Sequence, residues 1–338
     1  MEPLRSTLPD DGFASDDESM QSKCLKRSGF ILMGIVSVYA GATLWAGRGG
    51  WQLALTAISP SDILIIVGLV SIGFLLRAGR WHYYIRVLQW NVPLLHSAVA
   101  FVASIAFTAT PAKSGELAKA LLLRSQHNIS RSEGAGVLLI ERLGDLFAVI
   151  VLAVGGLTLF VDLSSYVLVS VILLGAVAFL VAKSHALLAY AQAIPKLHAP
   201  ALRLIDMLDA VRLLTRPIPL AIGGSVALAA WSCEAVAFYY LVGRLGIHSS
   251  PLISFSIYGL STLAGALSML PGGLGSFEAV MAFLLTRLAA PTSAATVAIV
   301  IFRLCTLWLF SLIGVTFMLG WFVFFTRRRR HNFAVEVK

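Results

Sequence analysis

Two short segments place helix-breaking residues and charges inside otherwise apolar sequence. The first is Pro111-Ala-Lys-Ser-Gly-Glu116, and the second is Pro271-Gly-Gly-Leu-Gly-Ser-Phe-Glu278. Proline removes a backbone donor and glycine permits unusual dihedral angles, so we expect a helix to stop and restart at each segment. A restarted helix presents free N–H groups in its first turn, and these groups can bind an anion. The chemistry that the two segments suggest is therefore recognition of a phosphate or a similar head group.

An arginine follows each segment at nearly the same distance. Arg142 lies 31 residues after Pro111, and Arg303 lies 32 residues after Pro271. Paired, interrupted, charged segments in the two halves of a membrane chain point to a transporter's substrate site. We therefore predict that the chain consists of two inverted repeats, each with one interrupted segment.

Two carboxylates accompany the first of these arginines. Glu141 and Asp145 are four residues apart, so they share a helical face with Arg142 beside them. Charges within hydrocarbon are costly unless they are paired or hydrated, and we expect Arg142 to pair with Glu116. An internal ion pair that holds the first segment and a role in binding or proton coupling are both compatible with this pattern.

The candidate binding residues lie within the two segments or around the arginines that follow them. They are Lys113, Ser114, Gly115, Glu116, Glu141, Arg142, Asp145, Gly272, Gly273, Gly275, Glu278 and Arg303. The basic members would meet the head group or a counter-ion, the carboxylates would pair with them, and the glycines would let the backbone bend. Ser114 is a candidate N-cap. The alternative for the first segment is a cytoplasmic hairpin whose basic residues only follow the usual charge distribution of loops.

The composition is that of a membrane protein. Hydrophobic residues make up 58% of the 338 residues and charged residues 13%, about half the charged share of a soluble domain. The net charge of +9 comes mostly from basic residues beside apolar runs, which argues against nucleic-acid binding. No metal-ligand spacing, P-loop or GxSxG motif occurs, so we expect neither an enzyme nor a cofactor.

The loops predict an all-α, polytopic fold with six crossings and two re-entrant helical hairpins. The crossings fall at about 30–47, 61–78, 134–160, 164–182, 218–243 and 292–326, and the hairpins at 92–124 and 250–289. Basic residues precede the first crossing and follow the last, so both termini are expected in the cytoplasm, across the cell inner membrane. The domains are then a disordered tail (1–28), a transmembrane transporter-like domain (29–326) and a basic tail (327–338).

Three further groups have two interpretations each. Arg77, Arg80, Trp81 and Arg86 form a basic, aromatic cluster that would contact anionic lipid head groups or anchor a helix at the inner surface. The segment with Leu204, Leu208 and Val211 on one face is either an interfacial helix or a connector.

Glu234 lies near Trp231, Tyr239 and Tyr240 within an apolar run. We favour an interfacial aromatic belt there over a role in the site.

The ordered motifs resemble a known family. Pro111-x-x-x-Gly-Glu116, then Glu141-Arg142-x-x-Asp145, then Pro271-Gly-Gly-x-Gly-x-x-Glu278 are similar to the lysylphosphatidylglycerol synthase transmembrane-region family over nearly all of 29–326. The resemblance implies that the transmembrane domain is a lipid-translocating module, with the identity of the lipid left open. Because the chain ends twelve residues after its last predicted crossing, we expect no aminoacyl-transferase domain and no lysyl-lipid synthesis.

The sequence thus favours a flippase that moves an anionic or lipid-linked head group across the cell membrane. Its partner would be a membrane phospholipid or a polyprenyl-linked lipid, and a homo-oligomer is left open. Two alternatives are a membrane-embedded transferase acting on a lipid-linked sugar and a non-transporting accessory subunit of a lipid-modification pathway.

Overall fold

The fold is known from a computed structural model that describes residues 52, 56–107, 116, 118–127, 129–157 and 198–320. The regular structure in these ranges is helical, with no strand among them, and the predicted all-α class is confirmed. The predicted crossings at about 30–47 and 164–182, both predicted tails and most of the first interrupted segment lie outside the described residues.

The helices of the first half begin with α1, Pro60–Val87. It is followed by α2 (Leu94–Ser104) with a 3₁₀ turn (Ile105–Phe107), then α3 (Ala118–His127) and α4 (Arg131–Leu157). The predicted crossing at 61–78 lies within α1, which continues nine residues beyond the predicted end at position 78. Helix α4 covers most of the predicted crossing at 134–160, but it is not among the described helices that are long and apolar enough to cross a membrane.

A connecting helix and the second half follow. These elements are α5 (His198–Leu214), α6 (Pro217–Arg244), α7 (Pro251–Leu267), a 3₁₀ turn (Pro271–Gly273), α8 (Ser276–Arg287) and α9 (Thr292–Gly320). Within the described ranges α1, α6 and α9 are long and apolar enough to cross a membrane, and α2 and α7 are shorter apolar helices. These apolar helices are those of an integral membrane protein.

The start of α1 shows how the sequence sets a helix boundary. Ser59 and Asp62 form a capping box, in which the Ser59 N–H donates to the Asp62 carboxylate at 2.8 Å and the Asp62 N–H donates to Ser59 Oγ at 3.3 Å. Pro60 follows in the first turn, where its missing donor carries no penalty.

The order of elements occurs twice. A 28-residue helix, a short apolar helix, a second short helix and a long helix follow one another among the described residues of both the α1–α4 half and the α6–α9 half. The short apolar helices have 11 and 17 residues, and the second short helices have 10 and 12. The final helices have 27 and 29 residues, with α5 between the two halves.

Helices α1 and α6 pack against each other in opposite directions. Asp62 near the start of α1 pairs with Arg244 at the end of α6, at 3.1 Å. Gly73 and Ala230, each the fourteenth residue of its helix, meet so closely that a Cβ at Gly73 would lie 2.9 Å from the Ala230 carbonyl oxygen. The two helices are therefore antiparallel and cross at their midpoints.

A second kind of close approach joins each long final helix to the short apolar helix of the other half. A Cβ at Gly259 of α7 would lie 2.5 Å from the backbone nitrogen of Ala153 in α4. A Cβ at Gly314 of α9 would overlap the backbone at Ala106, in the turn after α2. Ala153 and Gly314 are both the twenty-third residue of their helices. The two halves therefore exchange equivalent contacts.

Two details of α5 and α9 matter for the packing. The buried side chains of α5 include Leu208, Ala210, Val211 and Leu214, whereas Leu204 is 40% exposed. Helix α9 runs from Thr292 to Gly320 and includes a π-helical segment, Leu304–Trp308.

Candidate functional site

The second interrupted segment separates α7 from α8, as the sequence predicts. Gly272, Gly273 and Gly275 have φ values of 62°, 66° and 86°, the left-handed region that favours glycine. A Cβ at Gly273 would also lie 2.8 Å from Cα of Gly265 in α7. Glycine is required here both for the turn and for the contact between the two arms of the hairpin.

Arg303 of α9 holds this segment from outside the hairpin. Its Nε lies 2.5 Å from Glu278 Oε1, and its Nη2 donates to the Gly272 carbonyl at 2.9 Å. The guanidinium carbon also lies 4.1 Å from the centre of the Phe277 ring. Glu278 in turn accepts the Gly275 N–H at 2.7 Å, so one ion pair fixes both ends of the turn.

The first segment is represented by Glu116, since Lys113, Ser114 and Gly115 lie outside the described residues. Arg142 Nη2 lies 2.7 Å from Glu116 Oε2, which confirms the predicted pair. Arg142 is the twelfth residue of α4 and Arg303 is the twelfth residue of α9. The two arginine–glutamate pairs thus stand at the same position along α4 and α9.

Asp145 joins the first pair to α1. Its Oδ2 lies 3.1 Å from Arg142 Nη2, and its Oδ1 accepts from Arg80 Nη2 at 2.7 Å. Arg80 is only 3% exposed, so its assignment to a cluster at the inner surface is wrong.

Lys119 and Glu141 form another buried pair between α3 and α4. Both side chains are 2% exposed, and the Lys119 ammonium lies 4.6 Å from the Trp81 ring centre. The candidate binding residues from the sequence include Glu141 but not Lys119. The signal for Lys119 was its place within one turn of the interrupted segment.

Glu234 is a buried member of the same region and does not belong to an aromatic belt. Arg77 Nη1 donates to its Oε1 at 2.6 Å, and the Tyr258 hydroxyl donates to its Oε2 at 2.6 Å. The Arg77 guanidinium stacks over Trp231 at 4.5 Å. An unpaired arginine or glutamate is too costly in an apolar helix, so the sequence indicates that Arg77 and Glu234 each need a partner without showing which one.

Charges balance in the network around α4, which we define by four cations and four carboxylates. These are Arg77, Arg80, Lys119 and Arg142, with Glu116, Glu141, Asp145 and Glu234. Several buried donors nevertheless have no hydrogen-bond partner among the described residues: Arg77 Nη2, Arg80 Nε and Nη1, and Arg142 Nε. A hydrogen-bond acceptor that reaches these donors, such as a phosphate oxygen or a water molecule, would supply the hydrogen bonds that they lack.

Metal binding finds no support in the ranges that the structure describes. No group of three or more histidine, cysteine, aspartate or glutamate side chains there could hold a metal ion. The chemistry that this part of the chain offers is ion pairing and hydrogen-bond donation inside an apolar helical protein.

Known proteins are similar to this chain in sequence. A family described as the lysylphosphatidylglycerol synthase TM region matches residues 30–314. A UPF0104 membrane protein of Methanothermobacter thermautotrophicus (strain Delta H) is 25% identical over 328 residues, covering 86% of this chain and 95% of that protein. The phosphatidylglycerol lysyltransferase of Bacillus subtilis (strain 168) is 28% identical over 104 residues, which cover 31% of this chain but only 12% of the lysyltransferase.

Proposed function

Because this chain belongs to the lysylphosphatidylglycerol synthase TM region family, we propose that it moves a lipid with an anionic head group between the leaflets of its membrane. Membership of the family gives the chain a lipid-related role in the membrane. The further proposal, that the chain translocates the lipid, rests on the candidate site. Its main support is the pair of equivalent ion pairs, Arg142–Glu116 and Arg303–Glu278, each of which ties an interrupted segment to a long helix.

The proposal includes inverted repeats with two re-entrant hairpins. In its favour, α1 and α6 are antiparallel although they hold the same place in the two halves. The ends of the second hairpin support it as well, because the Ser268 and Ser276 hydroxyls meet at 2.8 Å and bring the end of α7 to the start of α8. Two hairpins that enter from opposite faces would expose a head group to one leaflet at a time.

In the proposed cycle, a head-group phosphate competes with carboxylates for the arginines. A phosphate oxygen would accept hydrogen bonds from the partnerless donors of Arg80 and Arg142. A carboxylate that loses its arginine would take up a proton, because an unpaired charge at that depth is costly. Rocking of one half against the other about the α1–α6 crossing would then change which face is open. We assign no catalytic residue and no cofactor, and we place the protein in the cell inner membrane with both termini in the cytoplasm.

The test is lipid movement in vesicles that contain the purified protein. Phosphatidylglycerol with a fluorescent head group is exchanged between leaflets, and an impermeant quencher reports the outer fraction. Glu278→Gln should slow the exchange about 10-fold, because loss of the ionic contact to Arg303 raises the barrier by roughly 1.4 kcal/mol. Glu133→Gln is the matched control, since Glu133 accepts the Ser130 N–H at the start of α4 at 3.2 Å and lies outside both hairpins.

Each other outcome counts against translocation or against the role of the ion pairs in it. If vesicles with the wild-type protein exchange lipid no faster than empty vesicles, the accessory-subunit alternative is favoured. If an activated sugar or aminoacyl donor yields a modified lipid with the purified protein, the transferase alternative is favoured. Equal rates for wild type and Glu278→Gln would remove the ion pairs from the mechanism.

A further inference from the structure

A cavity of about 290 Å³ opens at the end of α6, away from the network around α4. Its lining includes Tyr239, Gly243 and Arg244 of α6, with His248 and Ser249 from the connection to α7. None of these residues belongs to the interrupted segments or to the arginines that follow them. Their combination of a cation, an imidazole, a hydroxyl and an aromatic ring suits an anionic ligand.

Arg244 is held in place while most of its donors stay available. Its Nε lies 3.1 Å from Asp62 Oδ1, and Arg244 makes no other ion pair or hydrogen bond within the described ranges. The side chain is 48% exposed. The two Nη groups are therefore accessible to a ligand from the cavity.

Asp62 is a positioning residue in this arrangement. Its carboxylate also accepts from the Tyr240 hydroxyl at 2.5 Å, from the Ser59 N–H at 2.8 Å and from the Ser59 hydroxyl at 2.7 Å. Donors from both α1 and α6 thus fix the carboxylate, and the carboxylate orients the guanidinium. A guanidinium oriented in advance loses less entropy when it binds an anion.

The cavity lies where lipid phosphates are expected. Arg244 is the last residue of the apolar helix α6, and Tyr239 and Tyr240 precede it by about one turn. Arginine and tyrosine at the end of a span are typical of the membrane interface. Val236, which is 38% exposed, lies one turn further into the span on the same helical face as Tyr239 and offers an apolar surface to an acyl chain.

We propose that this cavity binds the phosphate of a phospholipid in the leaflet at the face where α1 begins and α6 ends. The Nη groups of Arg244 donate to the phosphate oxygens, and His248 and Ser249 border the head group. The site is separate from the proposed route through the hairpins and does not depend on lipid movement. It would keep a lipid at the junction of the two antiparallel helices.

The sharpest test fills the cavity without touching Arg244 or Asp62. A Cβ at Gly243 would meet no atom within 4 Å, and Gly243 lines the cavity, so Gly243→Leu can place its side chain there. Gly224→Leu is the matched control, because Gly224 lies on the same helix, also has no atom within 4 Å of a Cβ and does not line the cavity. A second pair is Arg244→Gln with Arg287→Gln as its control, since Arg287 is an exposed arginine at the end of α8.

The measurement is titration of the full chain, purified in a neutral detergent, with dihexanoyl-phosphatidylglycerol. We expect Gly243→Leu and Arg244→Gln each to weaken binding about 10-fold, the loss of roughly one charge-assisted hydrogen bond. Gly224→Leu and Arg287→Gln should bind as the wild type does. Wild-type affinity in Gly243→Leu would overturn the proposal even if Arg244→Gln proved unstable.

Two further titrations distinguish the source of the phosphate. Dihexanoylglycerol, which has the chains and no phosphate, should not bind at this site, and binding that Gly243→Leu abolishes would contradict recognition of phosphate. Inorganic phosphate should bind more weakly than the lipid because it lacks chains. If inorganic phosphate matches the lipid and is lost in the same variants, the ligand is a free anion and the lipid assignment is wrong.

Discussion

At the scale of single residues, Asp145 shows why the charges inside this protein come in groups. Two arginines from different helices share its two oxygens, Arg80 from α1 and Arg142 from α4 itself. A buried guanidinium without a carboxylate is strongly destabilising, so Arg80, whose ion pair within the described residues is with Asp145, cannot lose this carboxylate without loss of stability. This carboxylate therefore links α4, whose Arg142 pairs with Glu116 of the first interrupted segment, to α1, the helix that crosses α6.

Asp145→Asn should reduce the free energy of unfolding by about 3–5 kcal/mol, because it leaves Arg80 buried without a carboxylate. Unfolding by a denaturing detergent, followed through helical circular dichroism, measures this change. Glu133→Gln replaces another carboxylate by its amide at a helix start and should change the same quantity by less than about 1 kcal/mol. Equal stability of Asp145→Asn and wild type would show that Arg80 finds another partner.

The sequence predicted residue pairs where two charges shared a motif, and it failed where they came from distant helices. Arg142 and Glu116 were matched because Glu116 ends the first segment and Arg142 is the arginine that follows it. Arg77 and Glu234 are 157 positions apart, and nothing local shows that α1 and α6 cross. The predicted end of α1 at position 78 also placed Arg80 in a loop, where a charge needs no partner. The missing information was the length of one helix and the identity of its neighbour.

At the scale of helices, glycine decides where elements touch. The contact of α7 with α4 at Gly259 leaves no space for a Cβ, because the nearest atoms are backbone atoms of Ala153 at 2.5 Å and 2.8 Å. Backbone atoms of a packed helix cannot move aside as the end of a side chain can. The Ser256 hydroxyl, which donates to the Leu152 carbonyl at 3.3 Å, strengthens the same contact. This pattern of small residues is the usual way for membrane helices to approach closely.

Gly259→Ala should therefore lower the free energy of unfolding by about 1–3 kcal/mol or more, because α7 must move away from α4. Gly224→Ala is the comparison: its Cβ would meet nothing within 4 Å, and alanine favours the helix by up to about 1 kcal/mol. Melting temperatures in one detergent suffice to rank the two variants. A destabilised Gly224→Ala together with a neutral Gly259→Ala would contradict this account of the packing.

The π-helical segment of α9 could not have been foreseen from composition. It begins directly after Arg303, and Leu307 within it would lie 3.2 Å from a Cβ at Gly272. A π-helical turn inside an α-helix is frequent at functional positions, and here it follows the arginine that holds the second hairpin. The local sequence, Leu-Cys-Thr-Leu-Trp, carries no proline or glycine that would announce a change of helix type.

At the scale of the whole molecule, the repeated order of elements makes a prediction about sidedness. If the halves are inverted repeats, the residues that flank the first hairpin face one compartment and those that flank the second face the other. Asn91 and Arg131 flank the first hairpin, and Ser250 and Ser293 flank the second. Labelling of these four positions from each side of the membrane tests the topology directly.

Single cysteines at these four positions, in a chain with Cys24, Cys233 and Cys305 replaced by serine, should label in two groups. Positions 91 and 131 should react with an impermeant maleimide only from the cytoplasmic side, and positions 250 and 293 only from outside. Intact cells and inside-out vesicles give the two readings. Labelling of all four positions from the same side would end the proposal of inverted repeats, whatever the outcome of the lipid assays.

The ion pair between Arg77 and Glu234 has a consequence for the history of the chain. Both are the eighteenth residue of their helices, so they stand at corresponding positions of α1 and α6. In a dimer of two identical half-length proteins, that contact would bring together two arginines or two glutamates, which repel each other. An attractive contact at this point requires two halves of different sequence, encoded by two genes or by one fused gene. Once the pair exists, a second copy of either half cannot take the place of the other half.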